Sequence, residues 1–195
     1  MKFWKKFSIA MKKLCSFVTI FSQLLWIFVM EHLKEMIMSL AKGQETIENV
    51  YNAICKTIVD AVGSTRASVW LFNLTNDAIV CQSLYDSRTG EYFSEIRLTE
   101  DEFPDYFDAI KSDGFISAAD AHQHPSTAGF TEAYFLPLDI YSLLDFVVVN
   151  NGKQVAVLCC EHCGDIREWT KGDEAYLKQM ANILALTFKF KSHAA

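Results

Sequence analysis

The chain has 195 residues, 51% of them apolar and only three of them proline, which is enough for one full-sized domain with an added segment and excludes a low-complexity or disordered class. Five lysines (Lys2, Lys5, Lys6, Lys12 and Lys13) crowd the first 13 residues, no acid precedes Glu31, and the rest holds 13 basic against 24 acidic residues. So acidic a body argues against a nucleic-acid partner, because neutralising phosphates needs clustered Lys and Arg. Six cysteines (Cys15, Cys55, Cys81, Cys159, Cys160 and Cys163) sit mostly inside apolar runs, as in a protein of a reducing compartment.

Residues 14–30, LCSFVTIFSQLLWIFVM, carry no charge over 17 positions, the short limit for a membrane-spanning helix. On a helical projection the lysines share one side and Phe3, Phe7, Leu14, Phe21 and Leu25 the other, the arrangement of a helix lying on an anionic surface. Residues 1–30 are therefore expected to anchor the chain to a membrane or a partner, through Lys2, Lys5, Lys6, Phe7, Lys12, Lys13, Phe21 and Trp26. The expected location is the cytoplasmic face of the membrane, peripheral or singly anchored, with a soluble cytoplasmic protein as the alternative.

The body, residues 31–195, opens with a helix expected over 31–62. Leu33, Ile37, Leu40, Ile47 and Ile54 fall on a stripe of four-and-three spacing, which is what a two-helix seam requires. A homodimer through that seam and a helix laid on the chain's own sheet are both compatible with it. The period then changes. ASVWLFN (67–73), AIVCQSLY (78–85) and EYFSEIRL (91–98) read as strands separated by turn residues. A short helix is expected over 100–112 and a helical turn near 128–135. SLLDFVVVNNGKQVAVLCCEH (142–162) reads as a hairpin around Asn151-Gly152, and Thr170 with Asp173 as a capping-box start to a helix reaching Lys191. The sum is an α+β architecture, an antiparallel sheet flanked by helices.

Four stretches, RASVWLF, ISAADAHQHP, YSLLDFVVVNNGKQVAVLCCEH and REWTKGDEAYLKQMANILALTF, together resemble the GAF domain family over about residues 45–190. Most specific are the strand ending in Glu161-His162, then Trp169-Thr170 and the acidic pair Asp173-Glu174. The resemblance implies a GAF-like, PAS-related antiparallel sheet of five to six strands, with residues 1–30 as a helical extension. It also implies a small-molecule-binding, dimerising module of signalling proteins. No kinase, cyclase or transcription-activating output is expected within these residues, so the module would act on a separate signalling or complex-forming protein. The Asn-Lys half of the family's cyclic-nucleotide pattern is missing, and no cysteine accompanies His122 and His124 as a bilin site would require. The cofactor stays unassigned.

Within VLCCEHC (157–163), strand alternation puts Val155, Val157, Cys159 and Glu161 on one face and Ala156, Leu158, Cys160 and His162 on the other. Cys159 and Cys160 thus point apart and read as core fillers, with Cys163 the most exposed thiol. Candidates for a metal set are His122, His124, Cys160, His162 and Cys163, but their spacing is wrong for a structural zinc and none is assigned. Arg167 and Trp169 could hold an anion or a flat ligand. The family's pocket would lie between the sheet and segments 100–140, giving Asp120, His122, His124, Tyr134, Ser142 and Glu161 as ligand-binding candidates. The expected function is a non-catalytic sensory module signalling through its terminal helices. The alternatives are a ligand-free assembly subunit, marked by a pocket plugged with Phe115, Phe130 and Phe135, and a free methionine sulfoxide reductase.

Overall fold

A computed structural model describes residues 27–191, with side chains to Lys189. Cys15 and the anchor candidates Lys2, Lys5, Lys6, Phe7, Lys12, Lys13, Phe21 and Trp26 lie outside the described residues. Helix α1 (27–41) and helix α2 (Ile47–Val62) lead into strands β1 (Arg66–Phe72), β2 (Ala78–Asp86), β3 (Glu91–Phe93) and β4 (Arg97–Thr99). Helix α3 (Pro104–Asp113), β5 (Phe115–Ala118), the short helix α4 (Leu136–Leu138), the hairpin β6 (Ile140–Asn150) and β7 (Lys153–Cys163), and helix α5 (Lys171–Lys191) complete the chain. Between β5 and α4 the chain makes a 3-10 turn, Ala128–Phe130, and runs straight into a π-turn, Thr131–Phe135.

The seven strands form one antiparallel sheet in the order β3-β2-β1-β7-β6-β5, with β4 also paired to β2. The Asn151-Gly152 turn closes the β6–β7 hairpin with φ of 50° and 73°, the left-handed pair that matches strand twist and that glycine adopts without steric cost. Alternation sends Ala67 and Val69 of β1, Leu144 of β6 and Ala156, Leu158 and Cys160 of β7 to one face. There they meet Met30, Leu33 and Ile37 of α1, the apolar stripe of α2, and Leu177, Met180 and Leu184 of α5. Trp70, Leu143, Val157 and Cys159 go to the other face, covered by Tyr106, Phe107 and Ile110 of α3 and by Phe130 and Phe135.

Two details of the leading segments differ from the sequence expectation. The single helix over 31–62 is two helices. Gly43 turns left-handed (φ 70°) after Leu40, and the Thr46 hydroxyl accepts the Asn49 N–H at 3.2 Å to start α2 afresh. Of the seam residues, Leu33, Ile37 and Ile54 are fully buried in the chain's own core, and Leu40 and Ile47 pack beside them, so that stripe is already covered within one chain. EYFSEIRL likewise divides into β3 and β4, because Glu95 adopts a left-handed φ of 68° between them. That division raises the strand count above five to six. At the other end, Thr170 and Asp173 form the reciprocal cap: Asp173 Oδ2 accepts the Thr170 N–H at 2.9 Å and Thr170 Oγ1 accepts the Asp173 N–H at 3.1 Å.

Candidate functional site: a polar floor beneath an aromatic plug

On the face away from α2 and α5, charged side chains are buried among rings. Arg66, the first residue of β1, stands opposite Glu161 in the β1–β7 ladder and opposite Asp86 in the β1–β2 ladder. Its Nε lies 3.3 Å from Glu161 Oε2 and 3.7 Å from Asp86 Oδ2, and its Nη2 donates to the Tyr134 hydroxyl at 3.4 Å. Asp86 is held more closely by Arg88, at 2.7 Å. Burial pushes the Glu161 carboxyl above its ordinary value, while Arg66 and then the Tyr134 hydroxyl hold it back.

Asp145 is the third buried acid. It faces Cys159 directly across the β6–β7 ladder, and its Oδ2 accepts the Tyr106 hydroxyl at 2.6 Å. Its Oδ1 has no hydrogen-bond partner among the described residues, nor does Arg66 Nη1. Burial pushes the Asp145 carboxyl up to about 7, against the pull of the Cys159 thiol and the Tyr106 hydroxyl. Buried polar atoms are nearly always paired in folded proteins, so an unpaired carboxylate oxygen beneath a covered face calls for a reason.

A cavity of about 20 Å³ lies over these groups, room for one water-sized group. Asp145 and Glu161 form its polar floor, with Cys159 beside them on β7, and Trp70, Ile79, Leu98 and Leu143 form the rest of the sheet side. The roof is Tyr106 from α3 with Phe130, Tyr134 and Phe135 from the 3-10 and π-turns. Phe130 is the keystone: it stacks on Phe103 at 4.1 Å, meets Tyr106 edge-on at 5.0 Å and touches Phe135 at 5.5 Å. π-turns are rare and recur at functional sites.

Of the sequence candidates, Tyr134 and Glu161 line this cavity. The other four are engaged elsewhere. Asp120 Oδ1 accepts the His122 and Gln123 N–H groups in a local turn. His122 Nε2 lies 2.6 Å from the Ile140 carbonyl, and His124 Nδ1 accepts the Ser126 N–H. The Ser142 hydroxyl donates to the Ala119 carbonyl and accepts the Arg167 N–H. Arg167 itself donates to the carbonyls of Val62 and Gly63, both at 2.7 Å, closing the end of α2, with its guanidinium 4.8 Å from the Trp169 ring. Phe115 is also away from the plug, half-exposed and stacked on Phe146 at the sheet edge.

Sequence reasoning passed over Arg66, Tyr106 and Asp145. The signal was present for two of them: Asp145 is the one charge in SLLDFVVV, and Arg66 opens a strand otherwise without charge. Among the described residues no three His, Cys, Asp or Glu side chains converge as a metal set; His162 pairs with Asp165, and Cys160 is buried on the opposite face of the sheet. Burial raises the thiols of Cys55 and Cys81 to about 12 and that of Cys163 to about 11, and lifts Cys159 and Cys160 well above the ordinary value.

This fold, with its pocket beneath the connecting turns, agrees with a match to the GAF domain model over residues 46–188, and the chain belongs to the GAF domain family. It is similar in structure to residues 122 to 287 of a methyl-accepting chemotaxis protein, at a TM-score of 0.67 and 12% identity, over 86% of this chain and 99% of that one. The free methionine-R-sulfoxide reductase of Neisseria meningitidis, solved with its substrate, aligns at 0.63 and 14% identity over 86% of this chain and 90% of that one. The GAF domain of an Acinetobacter phosphoenolpyruvate-protein phosphotransferase aligns at 0.61 and 14% identity, over 87% and 96%. At these identities the likeness establishes the fold. No curated protein matches the sequence. Among the described residues no helix is long and apolar enough to cross a membrane.

Proposed function

We propose that the chain is a non-catalytic GAF-type sensory module that binds a small ligand in the cavity above Asp145 and Glu161 and acts on a separate protein. The observation that carries this is the unpaired Asp145 Oδ1, on a residue 1% exposed, facing a cavity whose roof is an irregular turn rather than a regular helix. Ligand entry would move Phe130, Tyr134 and Phe135 outward. The sheet links that movement to the helices, because Asp145 and Leu144 are neighbours in β6 and Leu144 packs in the core shared with α2 and α5. Support for a non-catalytic role comes from the thiols: a sulfoxide reductase needs a thiolate, and burial holds all five described cysteines in the thiol form.

A second reading, a ligand-free assembly subunit, draws on the plug itself, since Phe130 and Phe135 are buried and the cavity is small. Native mass spectrometry of the full chain, purified from its own cell in mild detergent, separates the two. A retained small molecule that Asp145→Asn releases supports the sensor. A chain without any bound molecule, carrying a stoichiometric partner protein, overturns it in favour of assembly.

A further inference from the structure

We propose that the cavity receives a small organic cation, its primary ammonium head lodged between Asp145 and Glu161 beneath the aromatic rings. This rests on the cavity being the ligand site and adds the charge and head group of what it takes. Size, donor–acceptor balance and charge all point the same way.

The cavity admits one water-sized group, and an –NH3+ head is of that size. Its polar lining is rich in acceptors. The Tyr106 hydroxyl is committed to Asp145, the Tyr134 hydroxyl takes the Arg66 N–H, and Asp145 Oδ1 is left unpartnered. An ammonium brings three donors and no acceptor, so it satisfies such a lining, whereas a carboxylate or phosphate would oppose it. The charge count agrees. Arg88 pairs with Asp86 and Arg66 with Glu161, but no ion pair among the described residues joins Asp145. The surrounding rings add to this, since aromatic faces attract a cation by their quadrupole. Cys159 also lines the cavity, but among the described residues no three His, Cys, Asp or Glu side chains are placed to hold a metal ion together.

The proton on Asp145 then competes with the cation. The titratable groups facing Asp145 are Tyr106 from α3 and Cys159 and Glu161 from β7, with Arg66 of β1 acting through Glu161. With the carboxyl raised to about 7, binding strengthens as pH rises towards that value and levels off above it.

Calorimetric titration of the full chain with methylammonium chloride, at pH 6 and pH 8, tests this; sodium chloride and sodium acetate at equal ionic strength are the comparison probes. The expected result is saturable methylammonium binding, about tenfold tighter at pH 8, with proton release at pH 6. Asp145→Asn should abolish it and Glu161→Gln weaken it. Methylammonium binding that is unchanged in Asp145→Asn, or acetate binding in its place, overturns the cation and leaves the ligand site standing. If no probe saturates, the cation is rejected; the ligand site falls with it only if native mass spectrometry also finds the chain without a small molecule.

Discussion

Replacing Asp145 by asparagine should make the fold much less sensitive to rising pH. The wild-type carboxyl is raised from 3.8 to about 7, first by burial and further by Glu161, so the folded chain favours the neutral acid. Stability from this group is therefore full below 3.8, declines as pH rises, and is lost once pH passes about 7. Each pH unit inside that window is worth about 1.4 kcal/mol, so between pH 5 and pH 8 the wild type gives up about 3 kcal/mol through Asp145. Asparagine keeps the shape and still accepts the Tyr106 hydroxyl, but does not titrate. Glu161 is also raised, yet it is present in both proteins and largely cancels in the comparison. Urea unfolding at pH 5 and pH 8 reads the effect: Asp145→Asn should be the more stable protein at pH 8, with the gap closing at pH 5. Parallel pH profiles for the two proteins would refute the assignment of a buried, largely protonated Asp145.

Arg66→Met should destabilise by about 3–5 kcal/mol, because Glu161 is left as a buried charge without its partner; adding Glu161→Gln should recover part of that loss in urea unfolding. Leu33→Ala should cost about 2–5 kcal/mol with an unfolding midpoint independent of protein concentration, since Leu33 is buried in its own chain's core; a concentration-dependent midpoint would return it to a dimer seam. Thr170→Ala removes the hydroxyl that accepts the Asp173 N–H, leaving the backbone half of the reciprocal cap, and should cost about 1 kcal/mol, read as a lower urea midpoint with unchanged slope.

Local rules carried far into this fold. The β6–β7 hairpin follows from two apolar runs around Asn151-Gly152, and the start of α5 from Thr170 and Asp173 alone, because each depends on residues close in sequence. The division of α1 from α2 was half legible: Gly43 stands between the two helices, but Leu40 and Ile47 keep the four-and-three register across the break and so mask the Thr46 cap that starts α2. The site was less legible, since its pairs are made across ladders. Arg66 meets Glu161, and Asp145 meets Cys159, only once β7 lies between β1 and β6. His122 and His124 drew attention as metal-type residues, whereas their partners, the Ile140 carbonyl and the Ser126 N–H, come from the turn around them and the strand beside it. A buried acid in an apolar strand was the better guide, because such a group is costly to desolvate and either finds a partner or shifts towards its neutral form.

The proposed pocket makes the two acids and the aromatic plug one device, in which Phe130 and Phe135 close over Asp145 and open for a ligand. A crystal structure of the full chain as isolated from its own cell tests that most directly. The expected result is non-protein density within hydrogen-bond distance of Asp145 Oδ1, with Phe130 and Phe135 displaced outward. Density no larger than a single water, with Phe130 still stacked on Phe103 and Tyr106, would contradict it.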